Sequence, residues 1–302
     1  MKKKVIFSLR KNWQLYLLLI PVLAFYFIFH YIPMYGVQIA FKSYSPVRGI
    51  WGSRWIGLTH FLAFFRTFNF WQIIWNTIGI SLYQILVGFQ VPIILALMIN
   101  EVGNRYFKKT VQMITYIPYF LSVVVVVGMI NTFLSPVNGI VNTFIGFFGF
   151  KPFYFMSEPG YFKTIYVLSN VWQNAGWGTI IYIATIAGIP QELYEAAVVD
   201  GASKFKRMMH ITLPFLIPII MNQLILRIGQ LMQVGFEKVL LMQNPLNLNS
   251  SEVVSTYIYK RGLLGAEFSF SSAVGLFNSV INFILLVCVN RFSRTLTGNS
   301  LW

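Results

Sequence analysis

Charged residues, Arg227 apart, are absent from six mostly apolar stretches of the chain, 14–32, 73–99, 114–134, 165–188, 214–236 and 271–290. A membrane-spanning helix needs about 20 mostly apolar residues, and each stretch is near that length or above it. All six are too long and too continuous for strands. Inside a bilayer the backbone must pair its own N–H and C=O groups, which selects helices. The pattern therefore predicts an all-α integral membrane protein with six transmembrane helices, organised as one membrane domain over residues 1–302. The second stretch is the longest and must tilt or project into water. Segment 33–72 is rich in aromatics and glycine (Tyr35, Tyr44, Trp51, Trp55, Gly49, Gly52, Gly57) and reads as an ordered outer cap with short helices. Asn138-Gly139 marks a turn, and 140–150 suits a short interfacial helix.

Orientation follows from the basic residues. Lys2, Lys3, Lys4, Arg10 and Lys11 precede the first stretch, which continues through Ile32 without an A-x-A-like cleavage site. It reads as a retained anchor rather than a signal peptide. Trp13 and Tyr16 at one end, with Tyr31 and Tyr35 at the other, fit interfacial belts. With the N-terminus inside, segments 1–13, 100–113, 189–213 and 291–302 carry thirteen Lys and Arg, whereas the longer outer segments 33–72, 135–164 and 237–270 carry nine. The higher inside density predicts a multi-pass protein of the cell membrane with both termini cytoplasmic.

Composition narrows the chemistry. Of 302 residues 57% are apolar and only 10% charged, against about 25% charged in a soluble domain. That excludes an ordinary soluble enzyme and a disordered chain. The net charge of +15 is spread thinly between apolar runs, as basic membrane flanks are, so no nucleic-acid partner is predicted. Met1–Lys11 sets orientation and meets anionic membrane lipid. A lone cysteine, Cys288, leaves no internal disulfide. His30, His60 and His210 have no second ligand at metal spacing, so no metal site is predicted. No G-x-x-x-x-G-K-[ST] sequence occurs, so nucleotide chemistry has no seat in this chain.

The most informative stretch is 189–214. Pro190 suits a helix start, and Glu192 and Glu195 in the early turns complement the helix dipole. Gly201 is a C-terminal stop. Residues 202–210 form a second short helix, with Lys204, Lys206 and Arg207 polar and Phe205, Met208 and Met209 apolar. Pro214 then opens the next span. Two readings fit this helix–glycine–helix elbow. One is a basic amphipathic segment lying on anionic lipid; the other is a docking knob for a partner, since aromatic and Met residues are common in interface cores.

Glu195-Ala196-Ala197, Gly201, and Ile211-x-Leu213-Pro214 resemble the cytoplasmic EAA loop of permease subunits of binding-protein-dependent ABC importers. Softer matches extend the resemblance over most of 55–290. Trp55-Ile56-Gly57-Leu58-Thr59-His60-Phe61, Asn76-Thr77, Pro136-x-x-Gly139-Ile140-x-Asn142 and the segment 268–277 are similar to permeases of the carbohydrate type. The resemblance implies a type I ABC importer permease fold. It implies that Glu195, Ala196, Ala197, Asp200, Gly201, Ile211, Leu213 and Pro214 frame a coupling helix seated in a groove of an ATP-binding subunit. It also implies the partners: two ATP-binding subunits that hold ATP and Mg, a second permease chain, an extracellular solute-binding protein, and an oligosaccharide or polysaccharide fragment as substrate.

Polar residues within the spans are candidates for the path. Gln223, Arg227 and Gln230 share one face at i, i+4 and i+7, with Asn222 beside them; Asn170, Asn174 and Trp177 share a face in the fourth span. An Arg at a helix centre costs about 2.5–3.5 kcal/mol on insertion scales, so Arg227 must face protein or water. Amides for hydroxyls and an indole for stacking suit a saccharide path; interhelical hydrogen bonding accounts for the same residues equally well. Three rivals stand beside sugar import. An ABC permease for another solute shares the elbow. A membrane enzyme acting on lipid needs a clustered acidic or histidine site, whereas the eight acids here are scattered. An ATP-independent transporter is expected to show internal repeats, and none is visible.

Overall fold

A computed structural model describes residues 11–298, 300 and 301. Lys2, Lys3, Lys4 and Arg10 of the N-terminal basic flank lie outside the described residues. The chain forms two compact units, Met1–Arg66 with Lys260–Leu276, and Thr67–Tyr259 with Phe277–Trp302.

The first unit begins with α1 (Trp13–Phe41), 29 residues long. Pro33 has no N–H to give, and the turn before it widens so that Ile32 N–H reaches Phe27 O. No residue from Trp13 to Met34 is buried within the chain. Strands β1 (Lys42–Ser45) and β2 (Ser53–Trp55) follow, antiparallel, with Lys42 opposite Trp55 and Ser43 opposite Arg54. The hairpin departs from the expected helical cap. Its residues carry no apolar alternation; side chains hold it instead. Ser53 Oγ donates to Gly49 O at 2.6 Å and accepts from Ser45 N at 3.1 Å. Lys42 Nζ donates to Ile50 O at 2.8 Å, and Trp55 stacks on Phe41. Helix α2 (Thr59–Phe65) closes the segment.

The second unit contains α3 (Phe70–Glu101), α4 (Arg105–Phe120), α5 (Val123–Phe133), α6 (Ile140–Gly146), α7 (Pro159–Ala187), α8 (Gln191–Val199), α9 (Lys204–Gly229) and α10 (Phe236–Met242). The last helix, α11 (Phe268–Thr297), starts among residues of the first unit and ends in the second.

Three expectations change here. The third span is two helices, α4 and α5, bent by 100°. Leu121 between them is extended, and Ser122 caps α5 by accepting Val125 N–H at 3.3 Å. Non-helical backbone at membrane depth must find a partner in protein; the buried Gln173 supplies one, its Nε2 donating to Leu121 O at 3.0 Å. The fifth span stops at Gly229 rather than at 236, because Gln230, Leu231 and Gln233 turn back onto carbonyls three residues earlier. A Cβ at Gly229 would lie 2.6 Å from Leu286 Cδ1, so a larger residue would have to displace that side chain where α9 meets α11. Finally, Pro214 does not open a helix. The turn Met208–Thr212 widens, as it does before Pro33, and α9 runs unbroken through Pro214.

Among the described residues four helices, α1, α3, α9 and α11, are long and apolar enough to span, and the bent pair α4–α5 makes a fifth. Helix α7 supplies the sixth long helix, at 29 residues, with a more polar sequence. It is the packing axis of the second unit. Tyr182 and Ile186 join Ile93, Ala96 and Leu216 in one cluster; Phe162, Tyr166 and Val167 join Ile80, Val127 and Val239 in another. A Cβ on Gly176 would fall on the Thr115 carbonyl, so that glycine fixes how closely α7 approaches α4.

Candidate functional site

The polar face of α7 opens on a cavity of about 730 Å³. Asn170 Nδ2 donates to Gln84 Oε1 at 3.1 Å, and Asn174 Nδ2 donates to Asn170 Oδ1 at 2.8 Å. Gln84 stands in a widened turn of α3, Gln84–Gly88. The amides form a short chain whose remaining donors and acceptors can meet hydroxyl groups. The opposite wall comes from the end of α9 and the turn after it, with Arg227, Gln230 and Gln233, and from Glu237 and Lys238 on α10. Tyr166 ties the walls together: its hydroxyl accepts Gly235 N–H at 3.2 Å.

Lys238 is 5% exposed, and its Nζ is buried with no hydrogen-bond partner. The ammonium lies 5.7 Å from the Tyr166 ring centroid. Burial pushes its pKa down to about 8. A second cavity of about 520 Å³ is lined by Trp177, Gln223 and again Arg227. Trp177 stacks flat on Tyr119, 4.4 Å between centroids.

The elbow is built from local signals. Helix α8 ends in a Schellman turn: Ala202 N–H donates to Ala197 O at 2.8 Å, Gly201 N–H donates to Val198 O at 3.0 Å, and Gly201 has φ +72°. Ser203 then caps α9, its oxygen accepting Lys206 N–H. The hydroxyls of Tyr194 and the buried Thr212 meet at 2.9 Å and pin α8 to α9. The outer side of the elbow is apolar and uncovered, with Val199 88% and Phe205 65% exposed. A cavity of about 430 Å³ beside it is bordered by Glu101, Lys108, Tyr194 and Arg207.

The pattern that defines the binding-protein-dependent transport system inner membrane component family matches residues 88–298. The chain belongs to this family. It is 40% identical to the polygalacturonan/rhamnogalacturonan transport system permease protein YteP of Bacillus subtilis (strain 168), over 97% of this chain and 91% of that one. It superposes with TM-score 0.89 and 40% identity on a chain of a bacterial ABC transporter involved in the import of the acidic polysaccharide alginate, covering 97% of this chain and 99% of that one. The same values hold, with 98% of that chain covered, for the bacterial alginate transporter in complex with alginate pentasaccharide-bound periplasmic protein. The permease is thus a multi-pass membrane protein with the type I ABC importer fold, a transport subunit and not an enzyme.

Within the permease, the predicted path residues divide. Asn170, Asn174, Arg227 and Gln230 line the larger cavity; Trp177, Gln223 and Arg227 line the smaller. Asn222 lines neither, and its Oδ1 is buried without a partner. Gln230 lies beyond the end of α9, so it reaches the cavity from a turn and not along the face it was assigned. The elbow residues fall where the motif put them. Glu195, Ala196 and Ala197 lie in α8; Asp200 and Gly201 form the turn; Ile211, Leu213 and Pro214 lie in the first turns of α9. Sequence reasoning passed over Gln84, Tyr166, Glu237 and Lys238. Gln84 carried a usable signal, a lone amide in an apolar run. Lys238 carried none, because its burial depends on Tyr166 and α10.

Proposed function

We propose that this chain is a membrane permease subunit of an ATP-driven importer of an oligosaccharide or polysaccharide fragment. The observation that carries the reading is the elbow, a rigid helix–turn–helix with an uncovered apolar face, in a chain of the binding-protein-dependent family. In this reading α8 seats in a groove of an ATP-binding subunit. Two such subunits hold ATP and Mg and perform the hydrolysis. A second, homologous permease chain completes the pathway, and an extracytoplasmic binding protein delivers the glycan. Both termini and the elbow then face the cytoplasm, consistent with the dense basic residues of 1–13 and 189–213.

The cavity fits the cargo. Amides on α7 and α3 answer hydroxyls in either sense, and Trp177 and Tyr119 provide the flat apolar faces on which sugar rings stack. The named relatives are a polygalacturonan/rhamnogalacturonan permease and a transporter of the acidic polysaccharide alginate, so acidic glycans head the list of substrates to test.

The test is reconstitution of the chain with its ATP-binding subunits, second permease and binding protein in liposomes. Glycan-loaded binding protein is expected to stimulate ATP hydrolysis and drive uptake of that glycan. A complex that assembles but ignores every neutral and acidic oligosaccharide overturns the saccharide assignment. Failure to bind any ATP-binding subunit overturns the role of the elbow.

A further inference from the structure

We infer that Lys238 is a binding site for the carboxylate of an acidic sugar unit in the larger cavity, a reading that rests on saccharide import. A buried ammonium with no hydrogen bond is expensive. A methionine or leucine at this place would fill the volume without that cost. Lys238 Nζ has no acceptor from the protein. Among the described residues no carboxylate lies within ion-pair distance of it.

What Lys238 does have is the Tyr166 ring beside its ammonium and a place in the cavity lining, with the Nζ itself closed off from the open space. The ring holds a cation in place but satisfies none of its three N–H donors. An oxyanion in the cavity supplies those acceptors and neutralises the charge once the Lys238 side chain swings its ammonium off the ring toward it, while the flanking amides Asn170, Asn174 and Gln233 remain for hydroxyls. The other charged groups on the wall are Arg227 and Glu237. Both are exposed, so each retains water and has less to gain from a ligand. The net positive lining favours an acid over a neutral sugar, and the desolvated Lys238 gives that preference its depth.

The experiment uses the complete importer in liposomes with two glycans that the binding protein accepts, an oligogalacturonate and its partly methyl-esterified form. Uptake of each is measured for wild type, Lys238→Met and Lys238→Arg. The free-acid to ester ratio within one preparation cancels differences in folded amount, and the binding protein's preference is common to all three. Lys238→Met is expected to lower the ratio about tenfold or more relative to wild type, the factor for a lost charged hydrogen bond. Lys238→Arg is expected to keep it. An unchanged ratio in Lys238→Met overturns the assignment while leaving saccharide import intact. If wild type imports a neutral oligosaccharide but neither of these glycans, this assignment fails while saccharide import stands; if it imports no oligosaccharide at all, both fail.

Discussion

The turn of the elbow between α8 and α9 is shaped chiefly by backbone bonds, and the cavity at the far end of α9 is shaped by side chains. In the elbow the decisive bonds run from Ala202 and Gly201 N–H to carbonyls of α8, and its outer side chains, Val199 and Phe205, are left uncovered. In the cavity the helices supply only position; amides of Gln84, Asn170 and Asn174 pair with one another, and Lys238 is enclosed without a partner. A surface that must hand on motion needs a fixed shape and tolerates changes in decoration. A surface that must bind needs unfulfilled polar capacity, and it accepts some instability in return.

The sharpest way to break this contrast is Gly201→Trp. At φ +72° a bulky residue is strained whatever the surrounding space, so the turn should reshape and uptake should fall on the order of a hundredfold. Insertion in the membrane should persist, because the spans are untouched. Normal uptake by this variant would remove the elbow from coupling. Next comes Gln173→Leu, which strips the partner from the Leu121 carbonyl at the α4–α5 break. It should cost about 1–3 kcal/mol, read as a lower melting temperature of the detergent-solubilised complex; an unchanged melt would mean that water serves Leu121 equally well. Arg227→Ala should lower uptake several-fold while assembly, followed by co-purification of the ATP-binding subunits, stays intact. Unchanged uptake kinetics would take Arg227 out of the path.

The smallest effect is a pH slope. Lys238 titrates near 8 in the fold, against 10.5 unperturbed, so between those values the unfolded chain binds more protons and folding stability rises with pH. Lys238→Met should melt higher than wild type at pH 7 and lose that rise. A Lys238 that stabilised the fold would give the reverse order at pH 7.

The same contrast explains what could be read without coordinates. The elbow was legible almost to the residue because Pro190 and Gly201 act on their own neighbours; the Ser203 cap was not read. The passage of α9 through Pro214 also escaped, since a widened turn leaves no pattern in composition. The spans were legible as apolar runs, but the α4–α5 break was not: Pro118 hints at it, yet the extended Leu121 is viable only because Gln173 arrives from α7. In the cavity, Asn170, Asn174 and Arg227 stood out as polar residues in apolar runs. Lys238 and Glu237 sat in an unremarkable outer segment. The Lys42–Ser45 and Ser53–Trp55 hairpin was invisible because hydroxyls, not alternating apolar residues, maintain it.

The continuity of α9 has a mechanical consequence. Ser203 caps one end of the helix, and Arg227 reaches the cavity about 35 Å away along the axis at 1.5 Å per residue. With no loop between them, rotation at the elbow is not absorbed on the way. A tilt of about 5° at α8 would swing the distant end by roughly 3 Å, as much as the length of a hydrogen bond. If the elbow is the coupling site proposed above, the helix is a lever gripped there with Arg227 at its far end, and a small angular stroke is enough to remake or break polar contacts in the cavity.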